Sequence, residues 1–578
     1  MSAGARAVSK AAAVVGLVLG AVVCLTVYSS LSLTEKARTP GLDPEAKIRV
    51  LRSARTLFAW NESAFEEAGV TFLGRATDNL GEIDRARADI REARSSLRRA
   101  LKLNPGSAAA HLYYAKTLDL LKYLDTTGGE RSFAEYEKAA RLAGPDRSLI
   151  RDIGAILFGR WANLSEAERS FALDLLKRTL LPKDEARFRE VLQIWDMDIR
   201  DDAVMQKIIP DSPPLLRMYA QLLADKNLSL EARHKTLARA ERLEYEQAWK
   251  GWETGQNSLK MGMYPEAVQH LGGALAGLGR IKFYGHLIGD EKIGAEVEKK
   301  TTLRRTVALD LAKAKVEEKR DLAQAQDALA AYLALEDNYK EITELETYLK
   351  GLRIIPESEA AAPIKNIRQL SFDVLLMFKL HKYRQIISLG GQLQQSILPS
   401  DPAARKDLAA IFRMVGESYQ KLDFVYEPEG YYEKALELFP GNPEVLLRMK
   451  KYYERRNETE KIREVDELLA KILSLGDLVA KPLTLAKGEA FAQSLLMSVG
   501  QDTIRLSFRA EPAHGNPKPL MAVVLNDRVY WEDYPGEGEV VLELDVGEGY
   551  NRLEIIAING PAVLAKVTAA AVEQEKKP

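Results

Sequence analysis

The chain has 578 residues, of which 46% are hydrophobic and 29% are charged, the composition of an ordinary folded protein. Its 82 basic and 83 acidic residues leave a net charge of −1, which argues against nucleic acid as a partner. A single cysteine and six scattered histidines exclude an intramolecular disulfide and a cysteine zinc site, so we predict no metal and no cofactor.

The amino terminus has a short basic tail, residues 1–10, followed by an uncharged and mostly apolar run, residues 11–33. As a helix this run would be about 34 Å long, enough to cross a hydrocarbon core of about 30 Å. A cleaved signal peptide is the alternative, but its apolar region is shorter. We therefore predict a single-pass anchor in an inner or plasma membrane, with the bulk of the chain in the periplasm. Gly16 and Gly20 form a G-x-x-x-G pattern that would permit homodimerisation.

A linker and first helix, residues 34–61, lead into helical periodicity over residues 62–475. The clearest pattern uses Phe412, Gly416, Tyr419, Tyr432, Ala435 and Pro440. Partial copies use Ala93, Ala100, Pro105, Gly255, Ala267 and Ala274. These spacings resemble the tetratricopeptide repeat (TPR), a helix–turn–helix unit. The resemblance implies a solenoid of antiparallel helix pairs, an architecture that binds partners and seldom catalyses reactions.

By the same resemblance, certain positions on the first helix of each pair face a concave groove. In two units these positions hold Trp249, Trp252, Gln256 and Lys260, and Arg413, Glu417 and Lys421. Two tryptophans on one turn would anchor a peptide, because aromatic side chains dominate interface energetics. The alternative is that neighbouring helices cover the tryptophans, which would make them core residues.

Beyond a linker at residues 476–488, residues 489–572 contain short runs rich in Val, Ile and Leu, separated by Gly, Pro, Asn and Asp. The alternation predicts four to six strands and a small β-sandwich, followed by a charged tail at residues 573–578. Part of this region resembles the closing strands of jelly-roll domains, some of which bind carbohydrate. The aromatic residues on or beside its predicted turns are Tyr530, Trp531, Tyr534 and Tyr550. Their rings would either stack on a sugar or pack against the solenoid.

The common catalytic sequence patterns are absent, so we predict no catalytic residues and no enzyme. The sequence predicts a mainly α protein, a TPR-like α-solenoid with an N-terminal transmembrane helix and a small C-terminal all-β sandwich. Residues 146–243 are similar to degenerate repeats that accompany bacterial surface-polysaccharide machinery. The leading hypothesis is a scaffold that binds envelope proteins or peptides, in surface-polysaccharide assembly. The alternatives are a carbohydrate-binding protein with the solenoid as its stalk, and an envelope processing enzyme with an unrecognised site.

Overall fold

The structure, a computed structural model, divides into two compact units, residues 1–210 and 211–578. The described residues are 3–124, 131–289, 293–319, 329–330, 332–333, 339–351, 367–393, 401–424, 426–440, 442–472, 477–479, 482–497, 503–513, 518–536, 538–546 and 549–571. Most of them are helical, and the strands lie at the carboxyl-terminal end of the second unit.

All regular elements described in the first unit are helices, including a 3-10 turn at Trp161–Asn163. Its helices are α1 (Ala3–Ala37), α2 (Pro44–Leu57), α3 (Glu62–Asp78), α4 (Ile83–Leu103), α5 (Ala108–Leu124), α6 (Ser132–Leu142), α7 (Arg147–Phe158), α8 (Glu166–Thr179), α9 (Glu185–Asp198) and α10 (Asp202–Ile208). Polar residues set several helix starts, because their side chains accept hydrogen bonds from the first free backbone N–H groups. Asp43, Asn61, Asp146 and Ser165 cap α2, α3, α7 and α8 in this way.

The second unit continues with helices and ends in strands. Its helices are α11 (Pro213–Asp225), α12 (Leu230–Lys260), α13 (Tyr264–Gly279), α14 (Ile293–Lys319), α15 (Tyr339–Gly351), α16 (Ile367–Lys379), α17 (Tyr383–Leu393), α18 (Pro402–Lys421), α19 (Glu427–Leu438), α20 (Pro443–Arg456) and α21 (Thr459–Ile472). A short 3-10 turn, Tyr284–Ile288, lies between α13 and α14.

The repeat-signature residues lie where paired helices touch. A Cβ on Gly416 of α18 would lie 2.8 Å from Cε1 of Tyr432 in α19, so only glycine lets the two helices approach this closely. Gly255 of α12 is in the same position against Leu271 of α13, at 2.6 Å from Cγ. Large side chains facing glycine on the partner helix are a common way to bring two helix axes close. The predicted architecture of antiparallel helix pairs is confirmed.

The carboxyl-terminal region forms a β-sandwich of two antiparallel sheets. Its strands are β1 (Asp477–Val479), β2 (Leu483–Leu485), β3 (Ala490–Met497), β4 (Thr503–Pro512), β5 (Met521–Leu525), β6 (Arg528–Asp533), β7 (Val540–Asp545), β8 (Gly549–Ala557) and β9 (Ala562–Ala571). One sheet has the order β1-β9-β4-β7, with β2 also paired to β9, and the other has the order β3-β8-β5-β6. Residues 476–488, predicted to be a linker, thus include two strands that pair with β9.

Candidate functional site

Two of the predicted groove residues of α12, Trp252 and Gln256, contact α14. Trp252 is partly buried against the core, and its indole Nε1 donates a hydrogen bond to Oδ2 of Asp310 (2.8 Å). Nε2 of Gln256 donates to the same oxygen (3.2 Å). Asp310 is itself buried, so its carboxylate fixes the orientation of the Trp252 ring. Asp310 is not among the residues predicted from the sequence, because it is distant from Trp252 along the chain and belongs to no motif.

Trp249 completes this surface. Its ring stands edge-on to that of Trp252, with centroids 5.0 Å apart and an interplanar angle of 68°. Its Nε1 donates to Oε1 of Glu253 (3.0 Å), and 41% of the residue is exposed. We call Trp249, Trp252, Gln256 and Asp310 the tryptophan step. Trp252 is partly buried and held by α14, which agrees with the alternative that neighbouring helices cover the tryptophans. Trp249, in contrast, has an exposed ring that packs edge-on against Trp252.

The second predicted groove surface, on α18, is different. Glu417 was expected to be presented to a groove, but it is buried and accepts a hydrogen bond from Arg413. Nε of Arg448 lies 3.3 Å from Glu417, and Nε of Arg413 lies 3.4 Å from Glu444. These charges compensate one another between α18 and α20, which explains why Glu417 can be buried. Lys421 and, on α12, Lys260 are exposed.

The β-sandwich packs against α11, α12 and the turn Tyr284–Ile288, within the second unit. All five residues of β5 are buried, because one face of this strand points into the sandwich and the other meets the helices. On the helix side, Val524 and Val529 join a cluster with Leu237 and Tyr284. A strand that is apolar on both faces is a sign of burial on both sides. The run Met521–Leu525 carries that sign in the sequence.

A buried ion pair lies at the centre of this interface. Nε and Nη2 of Arg233, in α12, donate to the two carboxylate oxygens of Glu532, in β6, at 2.6 and 3.3 Å. Tyr284 donates its hydroxyl to the same carboxylate (2.9 Å), and Nε2 of His234 lies 3.2 Å away. Nη1 of Arg233 donates to the carbonyl of Ala220 (2.6 Å). The carboxylate of Glu532 therefore has partners from two helical segments, α12 and the turn Tyr284–Ile288.

Electrostatics keep this carboxylate ionised. Burial alone would raise the pKa of Glu532, but the hydrogen bond from His234 and the charge of Arg233 outweigh it, and the pKa is lowered. Burial and the nearby carboxylate raise the pKa of Tyr284 well above its usual value, so its hydroxyl remains a donor. The arrangement is a neutralised, fully paired cluster and suits a structural contact between domains.

The aromatic residues predicted to bind sugar take part in this packing. Trp531 lies edge-on to Phe508 in the sandwich core, with centroids 5.5 Å apart. The hydroxyl of Tyr534 donates to the carbonyl of Ala224 in α11 (3.0 Å). Tyr530 contacts His286 of the 3-10 turn edge-on, with centroids 5.8 Å apart. These contacts favour packing over sugar stacking.

One further predicted sugar-binding residue, Tyr550, lies in β8. Its side chain falls outside the described part of the chain.

The first helix passes from an exposed apolar segment into the folded first unit. Residues Val15–Ala37 form the one helix, among the described residues, that is long and apolar enough to cross a membrane. Only 6% of its most apolar window is buried within the chain, which differs from the core helix of a soluble domain. A Cβ on Gly16 or Gly20 would meet nothing within 4 Å, so both glycines are open to a second helix.

The last two turns of α1 are built into the fold. Ser30 and Thr34 are buried, and Nδ2 of Asn61 donates to both of their hydroxyls, at 2.8 and 3.0 Å. Ser30 in turn donates to the carbonyl of Ala54 in α2 (2.7 Å), while Oδ1 of Asn61 caps α3 at Ala64. We call Ser30, Thr34 and Asn61 the anchor junction. It packs the end of α1 directly against α2 and the start of α3.

Comparison with known proteins gives helical-repeat structures of low similarity. The chain is similar to the P58(IPK) TPR domain, with 14% identity, a TM-score of 0.16, and coverage of 77% of this chain and 98% of that one. The Cut9–Hcn1 hetero-tetramer of the APC/C has 10% identity and a TM-score of 0.21, with coverage of 74% of this chain and 90% of that one. Naa15/Naa10 bound to HypK-THB has 13% identity and a TM-score of 0.22, with coverage of 78% of this chain and 63% of that one. Neither a protein-family model nor a curated protein sequence matches the chain.

Proposed function

We propose that this chain is a non-catalytic scaffold, held at a membrane by α1, that binds a protein partner at the tryptophan step. The exposed ring of Trp249 carries this proposal. Trp252 supports that ring from one side, and Asp310 fixes Trp252 through the indole hydrogen bond of 2.8 Å. An aromatic ring that is already ordered loses little conformational entropy when it binds, which is typical of an interface anchor.

The partner we infer is a peptide segment with an apolar side chain that packs on Trp249. Lys260 lies eleven residues further along α12, about 16 Å away at the rise of an α-helix, and is exposed. An acidic residue on the partner at that distance would pair with Lys260. The carboxylates of Asp310 and Glu253 are already occupied by the two indoles, so they do not define a cation site.

Membrane anchoring is supported by the anchor junction. Cleavage at the small-residue sequence Ser30–Ser32 would remove a side chain that bonds to both Asn61 and Ala54. A signal peptide is removed from the mature protein and has no reason to contribute buried contacts to its fold. An uncleaved α1 would keep those contacts. Partners in the bacterial cell envelope, and a role in surface-polysaccharide assembly, are the setting we infer from the similarity of residues 146–243.

Partner capture by the full chain in detergent tests the proposal. We expect Trp249→Ala to abolish capture from a membrane extract while the melting temperature stays near that of the wild type. Trp60→Ala, which removes a more exposed tryptophan from the first unit, is the control and should capture normally. Trp252→Ala should instead destabilise the second unit by about 2–4 kcal/mol, because the ring packs on the core. Unchanged capture by Trp249→Ala would refute the site.

The setting has its own test. Glycan-array binding by the full chain would support the carbohydrate-binding alternative. A negative array together with partner capture that depends on Trp249 would support the scaffold.

A further inference from the structure

The direction of α3 defines which end of the first unit faces the apolar part of α1. Asn61, just before α3, contacts Ser30 of α1. Further along both helices, Nε of Arg38 lies 3.5 Å from Oε2 of Glu67. Two contacts in the same order show that α3 runs parallel to the end of α1. The start of α3 is therefore the end of the unit nearest the apolar segment.

The end of α4 lies at that same end. Gly69 of α3 packs directly against Leu97 of α4, where a Cβ on residue 69 would collide with the leucine side chain. Ser107, just beyond α4, donates its hydroxyl to Glu66 near the start of α3 (2.8 Å). The two helices are thus antiparallel, and the last turns of α4 lie beside the first turns of α3.

Those last turns of α4 are strongly basic. Arg98, Arg99 and Lys102 are exposed, and within the described part of the chain none of them pairs with a carboxylate. From the packing of Gly69 on Leu97, at 1.5 Å per residue, Lys102 lies about 5 Å and Arg98 about 10 Å farther from the apolar segment than Asn61 does. They border a cleft of about 410 Å³. Its lining residues are Arg91, Arg94, Ser95, Arg98, Arg99 and Lys102.

The acidic residues nearby do not cancel this charge. Glu66 accepts the hydroxyl of Ser107, and Glu67 pairs with Arg38. Glu62, in the first turn of α3, is the remaining carboxylate on the opening turns of that helix and is half-buried. Because a neutral hydroxyl does not remove the charge of a carboxylate, Glu66 also counts, so three exposed cations face two partly exposed acids, Glu62 and Glu66.

Exposed apolar side chains lie at the same end. Trp60, in the turn between α2 and α3, is 71% exposed, and Leu57 at the end of α2 is 44% exposed. On α1, Tyr28 is 73% exposed and Leu31 is 48% exposed, close to where the helix enters the fold at Ser30. Tryptophan and tyrosine are enriched at the boundary between the hydrocarbon core and the headgroups. If α1 crosses a bilayer, Trp60 and Tyr28 lie at the level of that boundary.

We propose that this end of the first unit lies on the bilayer surface and binds anionic lipid headgroups. Trp60 and Leu57 insert at the interface, while Lys102, Arg99 and Arg98 contact lipid phosphates. The inference rests on the proposed membrane span, and it adds a lipid-binding surface and a fixed orientation to it. Because the anchor junction joins α1 rigidly to α3, the cations cannot turn away from the headgroups. Each basic side chain near an anionic surface contributes roughly a five-fold factor to binding.

The test uses the full chain reconstituted in vesicles of phosphatidylcholine and phosphatidylglycerol, with one lipid or the other brominated. Bromine quenches tryptophan fluorescence at short range. We expect quenching that disappears in Trp60→Phe, and stronger quenching by brominated phosphatidylglycerol than by brominated phosphatidylcholine at the same fraction. Arg99→Gln combined with Lys102→Gln should make the two lipids equal. The control, Arg85→Gln combined with Lys122→Gln, removes the same charge from the start of α4 and the end of α5, which lie away from the proposed lipid-binding surface. This control should keep the stronger quenching by brominated phosphatidylglycerol.

Retention of the chain in vesicles after an alkaline wash separates the two proposals. Retention without quenching that depends on Trp60 would overturn the lipid-binding surface and leave the span standing. Equal quenching by the two lipids in the wild type would also overturn it, and would assign the basic cleft to another polyanion, such as an acidic protein. Loss of the chain in the wash would overturn the span and the surface together.

Discussion

Removing Arg233 should release the β-sandwich from the helices. The Arg233→Met variant leaves Glu532 buried with only Tyr284 and His234 as partners, both of them weaker than the bidentate guanidinium. Breaking a buried ion pair from one side costs about 3–5 kcal/mol. Glu532→Leu should cost a similar amount, because it leaves a buried guanidinium unpaired. The double variant loses the pair as a whole and should cost only about 1–2 kcal/mol, for the hydrogen bonds to Ala220 and from Tyr284.

Urea denaturation gives the free energies, and amide hydrogen exchange shows which contact opens. The amide of Val529 donates to the carbonyl of Lys282 across the interface (2.9 Å), so its exchange reports undocking. We expect it to exchange roughly 100-fold faster or more in Arg233→Met. As a control, Arg505→Met breaks an exposed pair with Glu543 within the sandwich and should cost less than about 1 kcal/mol. Single variants that cost under about 1 kcal/mol, or costs that simply add in the double variant, would refute the reasoning.

Three other measurements follow from the structure. Gly416→Ala should destabilise the α18–α19 pair by about 1–3 kcal/mol, because the added methyl group would collide with Tyr432. The control Gly430→Ala, which has open space around it, should stabilise the protein by about 0.5–1 kcal/mol, and thermal melts of both variants test this. Asn61→Ala should cost about 2–3 kcal/mol in the first unit, since it removes a helix cap and two buried hydrogen bonds; a loss within about 0.5 kcal/mol would contradict the anchor junction. Glu532 has a folded pKa below its unfolded value of about 4.3, so its contribution to stability is present above that pH and is lost as the pH falls through the folded pKa; the protection factor of the Val529 amide, which corrects for the pH dependence of intrinsic exchange, should therefore fall on acidification below about 4.

The repeat architecture could be predicted from the sequence because small residues at fixed spacings allow the paired helices to approach closely. Gly416 and Gly255 are glycines for a steric reason that acts locally, between two helices adjacent in the chain. A spacing rule captures such a contact. The alternation of β4 and β8 could be interpreted as strands for the same reason, since each has one face in the sandwich core.

The candidate sites depended on contacts between distant residues, which no spacing rule contains. Asp310, which orients Trp252, is 58 residues away from it, and Glu532 is 299 residues from Arg233. Glu417 was expected at the surface because its position in the repeat faces a groove. It is buried because Arg448, from a later helix, helps to neutralise it. Only the uninterrupted apolar run of β5 hinted in the sequence that the sandwich would be covered on a second side.

The separation of Arg233 and Glu532 along the chain also determines how long one is synthesised before the other. Ribosomes add about 5–20 residues per second, so the 299 residues between the two partners take about 15–60 s to synthesise. During that interval α11 and α12 can pair with each other, but the guanidinium of Arg233 has no carboxylate from β6 and the apolar surface around Leu237 has no cover. The helices of the nascent second unit would therefore lack their contacts with the β-sandwich throughout that interval. A chaperone or the membrane surface would have its longest opportunity to bind the chain in that interval.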